Sequence, residues 1–226
     1  MQMHLGEDWY NLIDFNCAES IYLLLKKIEE DEDSISVFPS KEKAFLAYRT
    51  TPPKDVRTII LSKCPYPNMN SNGFAFSCSY LSTPSLRQLY FAWTKDKQVI
   101  IDDKTFNYPL SLDYLTEQGV LLLNVKLRVK KNDPDSYNEK AWQTFNDCLL
   151  NSFARNYPDI PILFLGNAAK KCMKSVEGIS ECSIYESHPV AASKSAKLWD
   201  TDVFDDINIH LVSKGYDPIQ WKPNSN

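Results

Sequence analysis

Three short apolar runs constrain the fold more than any other feature: Thr58-Ile-Ile-Leu61, Gly119-Val-Leu-Leu-Leu123 and Pro161-Ile-Leu-Phe-Leu165. Each is too short for a helix and too continuous for a strand with one wet face, so each reads as a strand buried on both faces. Helical patterns alternate with them. The spacing predicts helices over Asp8–Lys27, ended by the acidic run Glu29–Asp33, and over Lys41–Tyr48, stopped by Pro52-Pro53. Further helices are predicted from Thr83-Pro84 onward, over Tyr137–Asn151, Asn167–Lys174 and Trp199–Lys214. Thr83 suits an N-cap and Pro84 the first helical position. A fourth strand is expected at Ser183–Tyr185. Strand–helix alternation implies a parallel sheet between helical layers. The expectation is a three-layer α/β/α sandwich with a short, central, parallel four-stranded sheet in one domain, residues 1–226. The polar segment Lys95–Lys104, with its β-like Gln98-Val-Ile-Ile101, reads as a surface hairpin or insertion.

Composition excludes several classes. The chain has 226 residues, 43% hydrophobic and 24% charged, which suits one globular domain with a full core. No apolar run reaches membrane-spanning length, and the N-terminus lacks a secretory pattern. The six cysteines include no C-x-x-C pair, and only three histidines accompany them, so no zinc site assembles from the sequence. The thiols are expected to be reduced in an intracellular compartment. A net charge of −4 argues against tight nonspecific binding to duplex, although a local basic patch suffices for DNA.

The first strand runs into Ser62-Lys63-Cys64-Pro65-Tyr66-Pro67-Asn68, a tight Pro/Asn turn, and Gly73-Phe-Ala-Phe-Ser77 follows. Ligands of open α/β sheets bind just beyond such strand ends. Together with Val37-Phe-Pro39, Thr51-Pro-Pro-Lys-Asp-Val56, Thr83-Pro-Ser-Leu86, Gly119-Val-Leu-Leu-Leu-Asn124, Leu163-Phe-Leu-Gly166 and Ser187-His-Pro189, these blocks resemble the uracil-DNA glycosylase family in order and spacing, from Trp9 to Trp221. Pro67 and His188-Pro-Val-Ala-Ala192 are similar to its poxvirus branch, whose members also serve as replication processivity subunits.

The resemblance implies DNA as partner, with no cofactor and no metal. It implies that Phe76 stacks on a flipped base, Asn124 bonds its polar edge, Tyr66 walls the pocket against a 5-methyl group and His188 donates to the base O2. Lys63, at the family's glutamine, joins the base-binding group. Thr83, Ser85, Ser187, Ser193 and Lys194 match loops that bond the DNA backbone, and Lys126, Arg128, Lys130 and Lys131 are further cationic candidates. Several positions depart from the pattern: Ser62 and Lys63 replace its Gly-Gln, and Pro67 replaces its usual histidine. Cys64 stands at the catalytic aspartate, where a carboxylate would meet the positive charge that develops on the sugar. Its loss costs on the order of 10²–10⁴ in rate. Ala192 stands at the leucine that wedges into duplex. Asp133 and Asp135 fall in the loop after Asn124, where either one of them swings in to substitute for the missing carboxylate or both belong to a solvated charged loop.

Three functions remain open. In the first, the chain binds DNA and recognises a flipped uracil-like base with hydrolysis weak or lost, in a replication, transcription or DNA-protection role. In the second, it is an active glycosylase with altered chemistry or substrate. In the third, it is a non-catalytic protein-binding scaffold.

Overall fold

The structure, a computed structural model, describes residues 5–14, 17, 19, 21–24, 26, 36–101, 106–136 and 139–223. The acidic run Glu29–Asp33 lies outside the described residues. In chain order the elements are α1 (Glu7–Leu12), β1 (Val37–Phe38), α2 (Lys41–Ala44), α3 (Leu46–Thr50) and β2 (Thr58–Ser62), then α4 (Pro84–Thr94), α5 (Gln98–Ile101), α6 (Asp113–Thr116), β3 (Val120–Asn124) and β4 (Val129–Lys130). They continue with α7 (Glu139–Asn156), β5 (Ile162–Leu165), α8 (Gly166–Met173), β6 (Ile184–Glu186), α9 (Pro189–Lys194) and α10 (Val203–Ser213).

Four strands form a parallel sheet in the order β3-β2-β5-β6, flanked by helices, as the alternation predicts. Every residue of β2, β3 and β5 is buried, whereas β6 at the edge is half-buried. That contrast explains why the first three runs are uniformly apolar. β2 and β3 stay in register to their last pair, Ser62 with Asn124. The chain leaves β2 toward β3 on one side and β5 pairs on the other, so a crevice opens above β2 at the C-terminal strand ends. Before β3, Gly119 adopts φ 83°, and a Cβ there would lie 2.2 Å from the Asp55 carbonyl oxygen. The close approach lets the Arg57 N–H donate to the Gly119 carbonyl at 2.8 Å, starting the β2–β3 ladder.

Several local expectations change. The helix expected over Lys41–Tyr48 breaks at Phe45 (φ −110°, ψ 19°), and α1 ends where Ile13 turns extended. In both places an apolar side chain is satisfied by the core, not by helical periodicity: Phe45 is buried and its ring meets Phe145 edge-on. The last helix starts at Val203, not Trp199; the Trp199 N–H instead bonds the buried side chain of Gln88 at 2.8 Å, in the segment before the helix. Within Lys95–Lys104, expected as a surface hairpin or insertion, the β-like run Gln98–Ile101 is helical and not a strand. Lys95 ends α4 in the left-handed conformation, and the Asp96 carboxylate accepts the Gln98 N–H at 2.9 Å. That bond starts a helical turn, α5, which buries Val99; residues 102–105 lie outside the described residues. The reduced state expected for all thiols is also corrected. Cys17 and Cys148 are disulfide-bonded across 131 residues, joining the N-terminal segment to α7. The ring of Trp9 stacks on Phe153 of α7 in the same contact. Cys64, Cys78, Cys172 and Cys182 are free thiols. Among the described residues no helix is long and apolar enough to cross a membrane.

Candidate functional site

A cavity of about 550 Å³ opens at the C-terminal ends of the strands. It is lined by Ser62 and Lys63-Cys64-Pro65-Tyr66-Pro67 from the end of β2, by Phe74 and Phe76, by Ser85 of α4, by Gly166, Asn167 and Lys171 of α8, and by His188. Pro134 and Asp135 close one side. Six sequence candidates therefore share one cavity: Lys63, Cys64, Tyr66, Phe76, Ser85 and His188. Asn124 does not line it. Asn124 is buried beside it, paired in register with Ser62, and its side-chain oxygen accepts no hydrogen bond among the described residues.

Phe76 is placed by its backbone. The Ala75 N–H bonds the Leu122 carbonyl of β3 at 3.2 Å, and Asn72 accepts the Phe74 N–H at 3.3 Å and donates to Ser77 at 2.7 Å. Between these anchors Phe76 takes a left-handed φ of 64°, which costs a residue with a Cβ about 1–3 kcal/mol. The surrounding bonds hold that strain and turn the ring toward His188, with centroids 5.3 Å apart.

His188 is placed by α9. Its Nδ1 accepts the Val190 N–H at 3.2 Å, capping the helix. The proton of the neutral ring is therefore on Nε2, which donates to Ser62 Oγ at 3.1 Å. Burial, and then the nearby Lys194 and Lys63 charges, push its pKa down to about 4. The cavity thus presents a neutral imidazole donor at neutral pH. Gly166 (φ 83°) makes room for it: a Cβ there would lie 3.0 Å from the His188 Cβ.

Tyr66 is locked by its hydroxyl, which donates to the Phe76 carbonyl at 3.1 Å and meets Thr83 Oγ1 at 2.7 Å. Thr83 Oγ1 also accepts the Leu86 N–H at 3.2 Å as the N-cap of α4. Burial drives the Tyr66 phenol well above its ordinary pKa, so it stays a neutral wall.

The third wall carries charge. Lys63 Nζ contacts Asp135 Oδ1 at 2.6 Å, and the buried Lys126 Nζ reaches the same oxygen at 3.9 Å. Lys63 holds the Asp135 carboxyl below its ordinary pKa. Between them the Cys64 thiol is pushed up by burial, against the pull of Lys63 and Lys126, and remains neutral.

The DNA-backbone candidates divide. Ser187 and Lys194 are exposed, and Ser85 lines the cavity. Thr83 is committed to Tyr66 and its helix. Ser193 accepts from Gln88 at 3.2 Å and donates to the Pro84 carbonyl at 3.4 Å, tying α9 to α4. Lys126 and Arg128 are corrected as surface cations. Both are buried: Arg128 Nε donates to the Pro39 carbonyl at 3.1 Å and Lys126 Nζ to that of Pro134 at 3.4 Å. Lys130 and Lys131 are exposed. The motif reading missed Ser62, Asn167 and Lys171 as cavity residues, and of the two loop carboxylates weighed as substitutes it is Asp135 that lines the cavity. Asn167 had a signal in the sequence, because it follows a buried strand end at Leu165-Gly166. Among the described residues no cluster of His, Cys, Asp or Glu could hold a metal ion.

No family model matches the chain. Individual proteins do. The chain is 31% identical over 230 residues to the uracil-DNA glycosylase of Clostridium perfringens strain SM101, covering 99% of this chain and 100% of that protein. It is 32% identical over 211 residues to the uracil-DNA glycosylase of Mesomycoplasma hyopneumoniae, covering 92% and 94%. Among solved structures, a mimivirus UNG variant in complex with UGI superposes with a TM-score of 0.77 at 21% identity, covering 98% of this chain and 90% of that one. The fold and the near full-length identity agree: the chain belongs to the uracil-DNA glycosylase family.

Proposed function

We propose that the chain binds DNA and receives a flipped uracil in this cavity, and that it hydrolyses the glycosidic bond far more slowly than a family member with an aspartate at position 64. One observation carries the reading. An aromatic face, Phe76, and a neutral N–H donor, His188 Nε2, face each other in one cavity, which suits a planar base with an acceptor on its edge. Stacking a base on an aromatic contributes about 1–3 kcal/mol. The N–H donor serves O2, where negative charge develops as the bond breaks. The buried acceptor of Asn124, without a partner, supports a role in bonding the base N3–H. Tyr66, locked by two hydrogen bonds, supports exclusion of a 5-methyl group. Ser85, Ser187 and Lys194 are the backbone contacts the surface leaves available. Ala192 lacks the volume to fill the gap left by an extruded base, so single-stranded DNA is the favoured substrate.

Slow hydrolysis follows from Cys64. A buried neutral thiol neither stabilises oxocarbenium-like charge nor accepts a proton from water. The test pairs binding with release. Wild-type protein should bind a single-stranded oligonucleotide containing one uracil more tightly than its thymine counterpart. It should release free uracil slowly. Cys64→Asp should raise release by roughly 10- to 100-fold on single strands, and less on duplex. Equal affinity for uracil and thymine would refute the pocket assignment. Release at the pace of its aspartate-bearing relatives would refute the deficit assigned to Cys64.

A further inference from the structure

We propose that Asp135 is the catalytic carboxylate of this chain, facing the deoxyribose at the cavity mouth and taking a proton from the attacking water. The proposal rests on the uracil-binding reading and assigns the residual hydrolysis to a residue outside the family's motifs.

Asp135 is the acidic residue in the cavity wall among the described residues, and it stands on the side that also carries Cys64. Its position is built. The loop after β4 is fixed at four points. The Asn132 N–H bonds the Pro67 carbonyl at 2.9 Å, and Lys126 Nζ donates to the Pro134 carbonyl at 3.4 Å. The Lys130 N–H bonds Ser136 Oγ at 2.7 Å, and the Asp135 N–H bonds Asp133 Oδ1 at 3.1 Å. The first two bonds tie the loop to the segments that carry Tyr66 and Asn124. Lys63 and Lys126 both engage Asp135 Oδ1. Both cations reach the carboxylate through Oδ1, and Oδ2 is the oxygen assigned to water in this proposal. The Lys63 contact also keeps the group ionised.

Depth decides which part of a nucleotide meets this carboxylate. The base site of the proposed function lies inside, beside the contacting rings of Phe76 and His188. The Asp135 side chain is 69% exposed, at the mouth. The sugar of a nucleotide whose base fills the cavity must occupy that mouth. DNA covering the mouth removes water and strengthens the interaction between carboxylate and developing positive charge.

The step balances without a further reagent. The C1′–N1 bond breaks and its electron pair goes to uracil, whose O2 accepts a hydrogen bond from His188 Nε2–H. Water oxygen forms the new bond to C1′, and the water proton passes to Asp135 Oδ2. That proton is then returned to the uracil anion, giving free uracil and an abasic sugar.

The experiment uses the full chain in excess over a single-stranded oligonucleotide with one uracil, and measures the release rate and the dissociation constant separately. Asp135→Asn should lower release by about 10- to 100-fold while affinity for the oligonucleotide stays within about threefold or tightens. Asp135→Glu should retain part of the rate. In the Cys64→Asp background, Asp135→Asn should cost much less, because a second carboxylate then meets the same charge. Unchanged release in Asp135→Asn would overturn the proposal, as would wild-type protein that binds the uracil oligonucleotide and releases nothing. Loss of the uracil-over-thymine preference in the wild type would instead strike the binding reading itself.

Discussion

The two sides of the cavity are held by opposite means. The Phe76–His188 side is fixed by backbone: a strained φ at Phe76 anchored to β3, and a ring nitrogen capping α9. The Lys63–Asp135 side is fixed by an ion pair between side chains 42% and 69% exposed. Buried, backbone-directed contacts do not respond to salt, whereas exposed ion pairs are screened and contribute about 0–1 kcal/mol. The Phe76–His188 side is therefore built into the fold, and the charged side is adjustable. A ligand phosphate or a change in ionic strength can shift Lys63 without disturbing the base site.

The largest expected effect tests the rigid side. Phe76→Ala should destabilise the protein by about 3–5 kcal/mol, since a buried aromatic is removed. Uracil binding should weaken at least about tenfold from lost stacking. Denaturant melts and oligonucleotide titrations measure both; a loss of binding without a loss of stability would show that the ring is not part of the core.

A smaller effect concerns pH. The His188 pKa lies at about 4 when folded, below the ordinary histidine value. The unfolded chain therefore binds the proton first as pH falls. The contribution is complete above about pH 6.5 and is lost progressively as pH falls to about 4, a change on the order of 3 kcal/mol. The difference between wild type and His188→Gln in stability-versus-pH slope isolates it. Identical slopes between pH 6.5 and 4 would place the ring in water rather than in the cavity wall.

The smallest effect tests the adjustable side. Lys63→Met should change stability by less than about 1 kcal/mol. It should also flatten the salt dependence of oligonucleotide binding. A large stability loss would mean that the Lys63–Asp135 pair belongs to the rigid framework, and the contrast between the two sides would collapse.

The legibility of the chain follows the same division. Runs such as Ile59–Leu61 and Leu121–Leu123 announce buried parallel strands because both faces demand apolar residues. The motif blocks located Tyr66, Phe76 and His188 because local sequence sets their turns. What escaped depends on partners distant in sequence. Asp135 looks like a solvated loop residue until Asn132 is tied to Pro67. Lys126 and Arg128 look like surface cations until the loops they bond fold over them. Cys17 and Cys148 carry no shared pattern across 131 residues. Gln98-Val-Ile-Ile101 favours strand by composition, and a single cap from Asp96 turns it helical. Asn124 shows the limit from the other side: it sits at the expected strand end, yet the cavity wall is completed by its register partner Ser62.

Gly166 makes no bond to the base site, but it sets how deep the imidazole can sit. With a Cβ only 3.0 Å from that of His188, even an alanine, already strained at φ 83°, requires His188 to give by a few tenths of an ångström. The Nε2–H that faces Ser62 would then shift with it. Position 166 is thus a gauge for the cavity: one methyl group there resets where the His188 ring stands in its wall.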